Sequence, residues 1–406
     1  MRILVANKFW YHRGGLERVM FDEVSWLESA GHQIAHFSTQ HPLNEPSPWS
    51  DYFVPYLELG EGGKLRAAQK LRAVPRMFYS REAAMRFTRL LLDFRPDVVH
   101  VHGIHRQLSS SLLVAARERG IPVVQTMHDY HAFCCADVLL RGDGTLCEPP
   151  LCNLSAPWAA VRQHCVRGSL AQSGLAAAEA FCRNSLLRHQ RLVTRFVSPS
   201  HFLADKLRRA GLSARPIDVI PNAVPVQPAA GGGRGLLFAG RLAPEKGLDV
   251  LLEAAELAGL PLTIAGDGPL MPYLKDRANG RVSLLGRVSP SRVSELLAAA
   301  AVAVVPSTWY ENAPLSVLEP MACGTPVVAS AIGGIPELVR DGVDGLLVEP
   351  GSAASFAAAF RAITADEERA GKMGAAARER VAEEFSPVRH VETLMHTYDL
   401  ALGAVA

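Results

Sequence analysis

Two acidic residues, Glu311 and Glu319, lie eight positions apart in the stretch TWYENAPLSVLE. Asn312 is a residue type that caps helices and Pro314 suits a first helical turn, so a helix is predicted to begin between the two acids. At 100° per residue the acids lie about 80° apart around that helix, and both can face one ligand. Each acid would bind hydroxyls at one end of the ligand, and the free N–H groups of the first turn would bind an anion between them. The residues at this helix start are Asn312, Ala313, Pro314 and Leu315, of which Pro314 has no backbone N–H to donate.

This arrangement matches the layout of a sugar joined through a diphosphate to a ribose. The same residues allow a plainer interpretation, in which Glu311 caps the helix and Glu319 interacts with the helix dipole or with a buried partner. From this stretch alone the two interpretations are equally open.

A second candidate site is the stretch FAGRLAPEKGLDVLLEAA at 238–255, where a strand is predicted to end and a helix to begin near Gly247. Arg241 and Lys246 both fall in the loop between them. Two cations beside the free N–H groups of a helix start are typical of a diphosphate site. A solvated loop with a capping charge is the alternative for an Arg and a Lys at this spacing.

The elements that would position these residues follow one rhythm along the chain: an apolar strand, a turn and an amphipathic helix. With 406 residues, the chain is long enough for two domains. The predicted strands are apolar throughout rather than alternating, which indicates parallel sheets covered on both faces. They are RILVAN, QIAHFS, PDVVHVHG, PVVQTMHD and RFVSPS in the first half, and GLLFAG, PLTIAGDG, VSLLGRV, AVAVVPS and PVVAS in the second.

Proline and glycine concentrate in AVPVQPAAGGGRG at 223–235, which predicts a linker. We therefore expect an α/β protein with two doubly wound, Rossmann-like domains, at 1–220 and 221–384, facing each other across a cleft. A helix predicted within 385–406 would pack back on the first domain. Open parallel sheets bind ligands at the carboxyl ends of their strands, so the cleft is the expected site.

Composition and charge exclude several classes of protein. Hydrophobic residues make up 49% of the chain and charged residues 20%, as in a globular protein, and a formal charge of +2 gives no electrostatic case for nucleic-acid binding. The longest apolar run, LLAAAAVAVV at 296–305, is about half as long as a bilayer crossing requires. The N-terminal apolar run is too short for a signal-peptide core, so a cytoplasmic protein is expected.

The motifs GRLAPEKG, IAGDGPL, LGRV, PSTWYENAPLSVLEPMACGTPVVAS and GGIPELVRDGVDGLLV follow one another in this order. This series resembles the retaining family-4 glycosyltransferases of the GT-B fold. In the first half, RGGLERV at 13–19 resembles the glycine loop of that family, and 103–134 resembles a subgroup found in bacterial polysaccharide assembly. The resemblance covers nearly the whole chain, and it implies a transferase that uses a nucleotide-diphosphate sugar as donor.

The resemblance implies a role for each matching residue of the second half. Glu311 would contact hydroxyls of the transferred sugar, and Glu319 would bind the ribose hydroxyls of the nucleotide. Arg241 and Lys246 would hold the diphosphate and stabilise its charge as it leaves. Pro320 departs from the family, which usually has Ala there. It is expected to kink the helix without removing the ribose contact.

Other matching residues would complete the donor site. Gly14 and Gly15 would let the backbone approach the donor phosphate and sugar. His128 matches the first-domain histidine beside the reacting sugar, and a buried strand-end histidine is the alternative for it. The backbone around Arg287 and Val288 would meet the edge of the nucleobase.

The implied reaction transfers a sugar, with its anomeric configuration retained, to a saccharide or lipid-linked glycan. The sequence contains no Asp-x-Asp pair, so we expect neither a catalytic metal nor a required cofactor, with cations in the metal's place. No carboxylate stands out as a nucleophile, which favours a front-face route. The alternatives are a nucleotide-sugar epimerase on the same architecture, which the ENAPLSVLE pattern disfavours, and a catalytically inactive protein that binds a sugar nucleotide.

Six of the seven cysteines lie close together in the first half of the chain. Cys135 (or its neighbour Cys134), Cys147, Cys152 and Cys165 could bind a structural zinc ion. Their spacing lacks a tight C-x-x-C pair, so disulfide bonds and free buried thiols stay open as alternatives.

Residues 62–90 hold eight basic residues and one acidic residue, with apolar side chains interleaved. Such a segment can contact anionic lipid at the inner face of the cell membrane, or collect a lipid-diphosphate acceptor. A solvated helix pair packed on the first domain is the alternative.

Overall fold

The computed structural model describes residues 1–57, 74–148, 151–212, 215–228 and 233–404. The chain divides into two compact units, of which unit 1 comprises Met1–Ile220 and Val391–Ala406, and unit 2 comprises Pro221–His390. Unit 1 is therefore built from two separate stretches of sequence, with the whole of unit 2 between them along the chain.

In the described part of its first stretch, unit 1 contains eight strands and, besides a helical segment at 74–78, seven α-helices. The strands are β1 (Arg2–Ala6), β2 (Gln33–Phe37), β3 (Thr39–Gln40), β4 (Val54–Pro55), β5 (Val98–Val101), β6 (Val123–Thr126), β7 (Arg195–Ser198) and β8 (Ile217–Val219). The helices are α1 (Gly15–Ser29), α2 (Arg81–Phe94), α3 (Ser111–Arg117), α4 (Ala159–Arg162), α5 (Leu170–Phe181), α6 (His189–Leu192) and α7 (His201–Arg209).

Six of these strands form one parallel sheet in the order β2-β1-β5-β6-β7-β8, and β3 pairs with β4 separately. Consecutive residues of β1, namely Ile3, Leu4 and Val5, are all buried, so both faces of the sheet are covered. β1 pairs with β2 on one side and with β5 on the other. The winding of the sheet therefore reverses between β1 and β5, where the strand ends leave a crevice for ligands.

Unit 2 repeats this plan with six strands, and its described part contains seven α-helices. The strands are β9 (Leu236–Ala239), β10 (Leu262–Ala265), β11 (Val282–Gly286), β12 (Val302–Val305), β13 (Val327–Ser330) and β14 (Leu346–Val348). The helices are α8 (Leu248–Ala258), α9 (Met271–Arg277), α10 (Pro290–Ala299), α11 (Leu315–Cys323), α12 (Ile335–Leu338), α13 (Ala353–Thr364) and α14 (Glu367–Glu384).

The unit 2 sheet is parallel throughout and runs β11-β10-β9-β12-β13-β14, so its winding reverses between β9 and β12. Its core is made by apolar residues that recur at helical spacing and pack against the strands. Leu248 and Leu251 of α8 and Phe356 and Phe360 of α13 join Val304 of β12 in one buried cluster. This spacing places each pair on one helix face, which is why α8 and α13 lie on the sheet.

The final helix, α15 (Pro387–Gly403), begins in unit 2 and continues into unit 1. Leu394, Tyr398 and Ala401 are fully buried in the same cluster as Ile3 and Val5 of β1. The C-terminal stretch of the chain thus supplies part of the core of unit 1.

The predicted α/β architecture of two doubly wound parallel sheets is confirmed. All ten strands expected from apolar runs are present. Four short strands, β3, β4, β8 and β14, were not predicted, because each has only two or three residues and none is fully buried. Within the described part of the chain, no helix is both long enough and apolar enough to cross a membrane.

Candidate active site

In unit 2 the loops that follow β9 and β12 lie side by side at the reversal point of the sheet. The backbone N–H of Thr308 donates to the carbonyl of Glu245 at 3.0 Å. Gly247 has a φ of +69°, and a Cβ there would lie 2.0 Å from the carbonyl oxygen of Pro306. Only glycine permits this conformation at this separation, so the two loops are fixed against each other.

The contact between these loops brings Lys246 and Glu311 together. Lys246 Nζ lies 2.5 Å from Glu311 Oε1, and the same oxygen accepts hydrogen bonds from Ser307 Oγ at 2.8 Å and Trp309 Nε1 at 2.9 Å. The Lys246 ammonium also lies 5.3 Å from the centre of the Trp309 ring. Three donors to one oxygen fix the orientation of a carboxylate that is only 7% exposed.

The electrostatics of Glu311 follow from these contacts. Burial raises the pKa of its carboxyl, but the charge of Lys246 and the three hydrogen bonds outweigh burial and leave the pKa below its ordinary value. The carboxylate is therefore ionised at neutral pH, and Lys246 balances its charge.

The loops that follow β13 and β10 pack against the two loops that carry this pair. The Gly334 N–H donates to the carbonyl of Glu311 at 2.7 Å, and a Cβ on Gly333, whose φ is +65°, would lie 2.3 Å from that oxygen. In the same way, a Cβ on Gly266 would lie 1.8 Å from the carbonyl oxygen of Gly240, in the loop that carries Arg241. The sequence motifs contain Gly266, Gly333 and Gly334, but no role was predicted for them. Of these, Gly266 directly follows the apolar residues of a predicted strand, and that position is the signal that could have found it.

The helix start in this site differs from the prediction. α11 begins at Leu315 with Pro314 as its N-cap and no side-chain cap bond, so Asn312 as the cap was wrong. The φ of Pro314, −72°, suits the proline ring, and its ψ of 128° is extended, so the first helical residue follows it. Ala313 is buried in the loop before the helix. Glu319 lies inside α11 and is half-buried.

Three other predicted donor residues lie on the same carboxyl edge. Arg241 is exposed and pairs with Glu245, a partner that sequence reasoning did not foresee. Arg287 and Val288 directly follow β11, with Arg287 exposed and Val288 half-buried.

In unit 1 the two predicted glycines lie where the loop after β1 ends and α1 begins. Gly14 is the N-cap of α1 with an extended backbone, at φ −163°. A Cβ on Gly14 would meet only Glu17 Oε2, at 3.7 Å, and a Cβ on Gly15 would meet nothing within 4 Å. Nothing in the described chain requires glycine at either position, in contrast to Gly247 and Gly333.

His128 follows β6, is half-buried, and lies at the end of a row of polar side chains that are in contact. Its Nε2 lies 2.9 Å from His102 Nδ1, and His102 Nε2 lies 3.5 Å from Glu23 Oε2. The neighbouring His100 bonds to Tyr398 Oη of α15 at 2.7 Å through its Nδ1. Burial lowers the pKa of His128 to about 4, so the ring is neutral at pH 7.

Possible metal ligands within the described chain include Glu23, His100 and His102, whose ligand atoms all lie within 4.8 Å of one another. Both ring nitrogens of His100 already bond, to Tyr398 Oη and to Thr126 Oγ1 at 2.8 Å. An ion there would have to displace one of these bonds, so the group is better suited to hydrogen bonding.

The cysteines and the basic segment lie apart from these residues along the chain. All seven cysteines are free thiols, and five of the six in the first half line one small cavity. Of the basic segment at 62–90, residues 62–73 lie outside the described part of the chain.

Two family models match the chain. Residues 14–223 match the glycosyl transferase 4-like domain, and residues 221–380 match the glycosyl transferases group 1. A D-inositol 3-phosphate glycosyltransferase of Mycolicibacterium smegmatis is 31% identical over 76% of this chain and 68% of its own length. With two other curated relatives the match spans less than half of the relative's own length, 41% and 46%.

Solved structures resemble the whole chain. The sucrose-phosphate synthase of Thermosynechococcus elongatus superposes with a TM-score of 0.70 at 20% identity, covering 100% of both chains. Anabaena HepE in complex with UDP-glucose superposes with a TM-score of 0.64 at 18% identity, covering 98% of this chain and 99% of its own. At these identities the likeness is one of fold. The chain therefore belongs to the glycosyltransferases that join a glycosyl transferase 4-like domain to a group 1 domain, on the GT-B fold.

Proposed function

We propose that this protein transfers a sugar from a nucleotide-diphosphate donor to a saccharide or lipid-linked glycan. The observation that carries the proposal is the Lys246–Glu311 pair at the reversal point of the unit 2 sheet. Ligands of such sheets bind at this position. The family, whose relatives are named transferases and synthases, supports transfer over epimerisation or binding without catalysis.

In the proposed donor complex, the diphosphate lies between Arg241 and Lys246. An ammonium has three N–H donors, so Lys246 can keep its bond to Glu311 while it binds a phosphate oxygen. Glu311 would then accept from a hydroxyl of the transferred sugar. Glu319 would bind the ribose, and the backbone at Arg287 and Val288 would meet the base.

We propose that Gly14 and Gly15 contact the donor from unit 1, where the open space around Gly15 leaves room for a ligand. His128, neutral at pH 7, would accept or donate one hydrogen bond to the sugar.

The proposed chemistry is a front-face substitution with retention. The bond between C1 of the sugar and the β-phosphate oxygen breaks as the acceptor oxygen bonds to C1 on the same face. The acceptor proton passes to the departing phosphate. Arg241, Lys246 and the N-terminus of α11 would stabilise the negative charge that develops on the leaving group, and no catalytic divalent ion is required.

The first test is a thermal-shift screen in EDTA against UDP-, GDP-, ADP- and dTDP-sugars. UDP-sugars come first because the fold relative HepE has been solved with UDP-glucose. A ligand that binds only the native state raises the melting temperature. Stabilisation by one nucleotide class, with release of free nucleotide when acceptor is added, is the expected result. No shift with any donor, with and without added Mg²⁺, would overturn the proposal.

Substitutions then separate the two acids. Glu311→Gln, which keeps the shape of a side chain that accepts three hydrogen bonds, is expected to lower kcat by about 10²-fold. Glu319→Gln should mainly raise KM for the donor. The control is Glu253→Gln, at an exposed position of α8. NMR of the product reports the anomeric configuration, and inversion would contradict the proposed route.

A lipid-linked acceptor, as in polysaccharide assembly, is favoured by one surface of unit 1. On α2 the exposed side chains Arg81, Met85, Arg89 and Leu92 recur at about one-turn spacing, so basic and apolar groups share one face. We propose that this face contacts anionic lipid from the cytoplasmic side. Sedimentation with phosphatidylglycerol vesicles tests this. Equal binding by wild type and by Arg81→Glu/Arg89→Glu would count against it.

A further inference from the structure

Asn222 is the second residue of unit 2, directly after the point where the chain leaves unit 1. Its side chain is buried, and its Nδ2 donates a hydrogen bond of 2.7 Å to the carbonyl oxygen of Ala313. A backbone carbonyl can only accept, so the amide nitrogen rather than the amide oxygen must face it. Ala313 lies 91 positions later, in the loop between β12 and α11. The first residues of unit 2 are therefore bonded directly to the loop that carries Glu311.

The Ala313 carbonyl lies outside the hydrogen-bonding pattern of α11. Pro314 is the N-cap of that helix, and its carbonyl accepts from the N–H of Val317 at 3.0 Å. Ala313 precedes the N-cap by one residue and is itself buried, with 6% of its surface exposed. A buried carbonyl costs free energy unless a side chain or a water molecule donates to it. The side chain of Asn222 supplies that donor.

The bond from Asn222 acts at a different point of the loop from the bonds made by neighbouring strand-end loops. Those loops bond to the backbone of Thr308 and Glu311, which lie earlier in the loop. Asn222 bonds to the residue directly before the N-cap. It therefore fixes the orientation of the peptide group between Ala313 and Pro314, and with it the direction in which α11 begins.

Asn222 is itself fixed, because the first and the last residues of unit 2 lie side by side. His390, the last residue of unit 2, donates from its Nδ1 to the carbonyl of Pro221 at 2.8 Å. The N–H of Val224 donates to the carbonyl of Phe385 at 3.0 Å. Asn222 lies between these two bonds in the sequence. Its backbone is thus fixed on both sides, so its side chain can determine the position of the loop.

We propose that Asn222 is a positioning residue for the donor diphosphate. By holding the Ala313 carbonyl, it directs the free N–H groups at the start of α11 toward the phosphate oxygens. Donors that are already oriented need no rearrangement when the ligand binds, so the affinity for a diphosphate depends on this bond. The inference rests on the proposed donor site, in which the N-terminus of α11 contacts the leaving group. It adds a residue from the start of unit 2 that contacts no ligand itself.

Calorimetric titration of the full-length protein with free UDP, GDP, ADP and dTDP tests the proposal. Asn222→Leu keeps the approximate size of the side chain but cannot donate, and it should bind the diphosphate that wild type binds about tenfold more weakly.

The matched control is Thr325→Val. The buried Thr325 Oγ1 donates to the carbonyl of Leu297 at 2.7 Å, just before β13 and so at the opposite edge of the same sheet. Loss of this bond should lower the melting temperature about as much as Asn222→Leu does, because each variant leaves one buried carbonyl unpaired. The affinity for the diphosphate should stay that of wild type.

Hydrogen exchange measured by mass spectrometry provides a second readout that needs no ligand. Peptides covering 309–319 should lose protection in Asn222→Leu and keep it in Thr325→Val. Asn222→Ser leaves space for a water molecule at the carbonyl, so it should show the same change to a smaller extent. This second variant serves as the test if Asn222→Leu does not fold.

The proposal is overturned by equal diphosphate affinity in the Asn222 variants and wild type, by an equal loss of affinity in Thr325→Val, or by unchanged protection at 309–319. If none of the four diphosphates bound wild type, the proposed donor site would fail instead. Exchange at 309–319 would still show whether Asn222 positions the loop.

Discussion

The two units share one sheet topology at the reversal point but place different chemistry there. In unit 2 the loops approach so closely that a Cβ at Gly247 or Gly333 would collide with backbone, and they hold one buried ion pair, Lys246–Glu311. In unit 1 the corresponding strand ends carry hydrogen-bonded histidines, and Gly15 has open space around it.

This contrast shows that one sheet topology can carry two kinds of polar site. Unit 2 fixes opposite charges in a rigid frame, which suits a ligand that carries charge. Unit 1 places the ring of His128 there, which is neutral at pH 7 and can donate or accept a hydrogen bond, and this suits hydroxyl groups. The four experiments below would break or sharpen this contrast, beginning with the largest expected effect.

Acid should destabilise unit 1 before unit 2. In unit 1, burial lowers the pKa values of five histidines: His36, His105, His128, His131 and His189. Between pH 6.5 and about 4 the unfolded state binds more protons at these sites than the folded state does. The free energy of unfolding therefore decreases as the pH is lowered, by several kcal/mol in total. Asp129, whose pKa is raised to about 6, offsets part of this loss.

In unit 2 the lowered pKa of Glu311 gives stability that is lost only as pH falls below about 4.5. Hydrogen exchange measured by mass spectrometry at pH 7.5 and 5.0, corrected for intrinsic rates, reports each unit separately. Parallel loss of protection in both units would refute the contrast.

Removing the cation of the ion pair should cost unit 2 about 3 kcal/mol, because Lys246→Met leaves the Glu311 carboxylate buried without its partner. Urea denaturation measures the change. The double variant Lys246→Met/Glu311→Gln should recover most of the loss, and Lys275→Met, at an exposed position of α9, is the control. If the single and double variants were equally unstable, the pair would not be the cause.

A glycine-to-alanine substitution should lower the stability of the protein at Gly333 in unit 2 and leave it unchanged at Gly15 in unit 1. Gly333→Ala adds a left-handed backbone penalty of about 1–2 kcal/mol to a 2.3 Å contact with the Glu311 carbonyl. Gly15→Ala meets nothing within 4 Å and lies at a helix start, so its melting temperature should match wild type. Similar melting temperatures for the two variants would contradict the structural difference.

The smallest effect concerns the histidine network. Tyr398→Phe removes the hydroxyl that bonds His100 Nδ1 and should cost about 1 kcal/mol. Tyr52→Phe, which removes an exposed hydrogen bond to Asp93, should change stability less. Thermal denaturation of both variants tests this prediction. A larger decrease in melting temperature for Tyr52→Phe than for Tyr398→Phe would be inconsistent with a buried network.

The fold was largely predictable because buried parallel strands consist of consecutive apolar residues, which are easily recognised in the sequence. A run such as AVAVV has apolar residues on both faces, which occurs when helices cover both sides of a sheet. The edge strands Ile217–Val219 and Leu346–Val348 were missed since they are three residues long and half-buried. At that length, periodicity carries no signal.

The sequence identified residues of the candidate site, but it could not show which of their side chains are in contact. Lys246 and Glu311 were both named, yet nothing in their spacing indicates that they meet, because the contact depends on the pairing of β9 with β12. The Asn312 cap was a local rule that failed, since Pro314 occupies the N-cap position and the helix begins at Leu315. The bond between Tyr398 and His100 could not be predicted either, because α15 brings Tyr398 to His100 from the other end of the chain.

The divided sequence of unit 1 has a consequence during protein synthesis. Leu394 and Tyr398 fill its core, and the ribosome makes them only after the whole of unit 2. At 5–20 residues per second, the nascent first stretch waits on the order of ten seconds with the apolar side of β1 and α1 uncovered. Unit 2 can fold during this interval, so we expect the later stretch of the chain to reach its native state before α15 completes the core of unit 1.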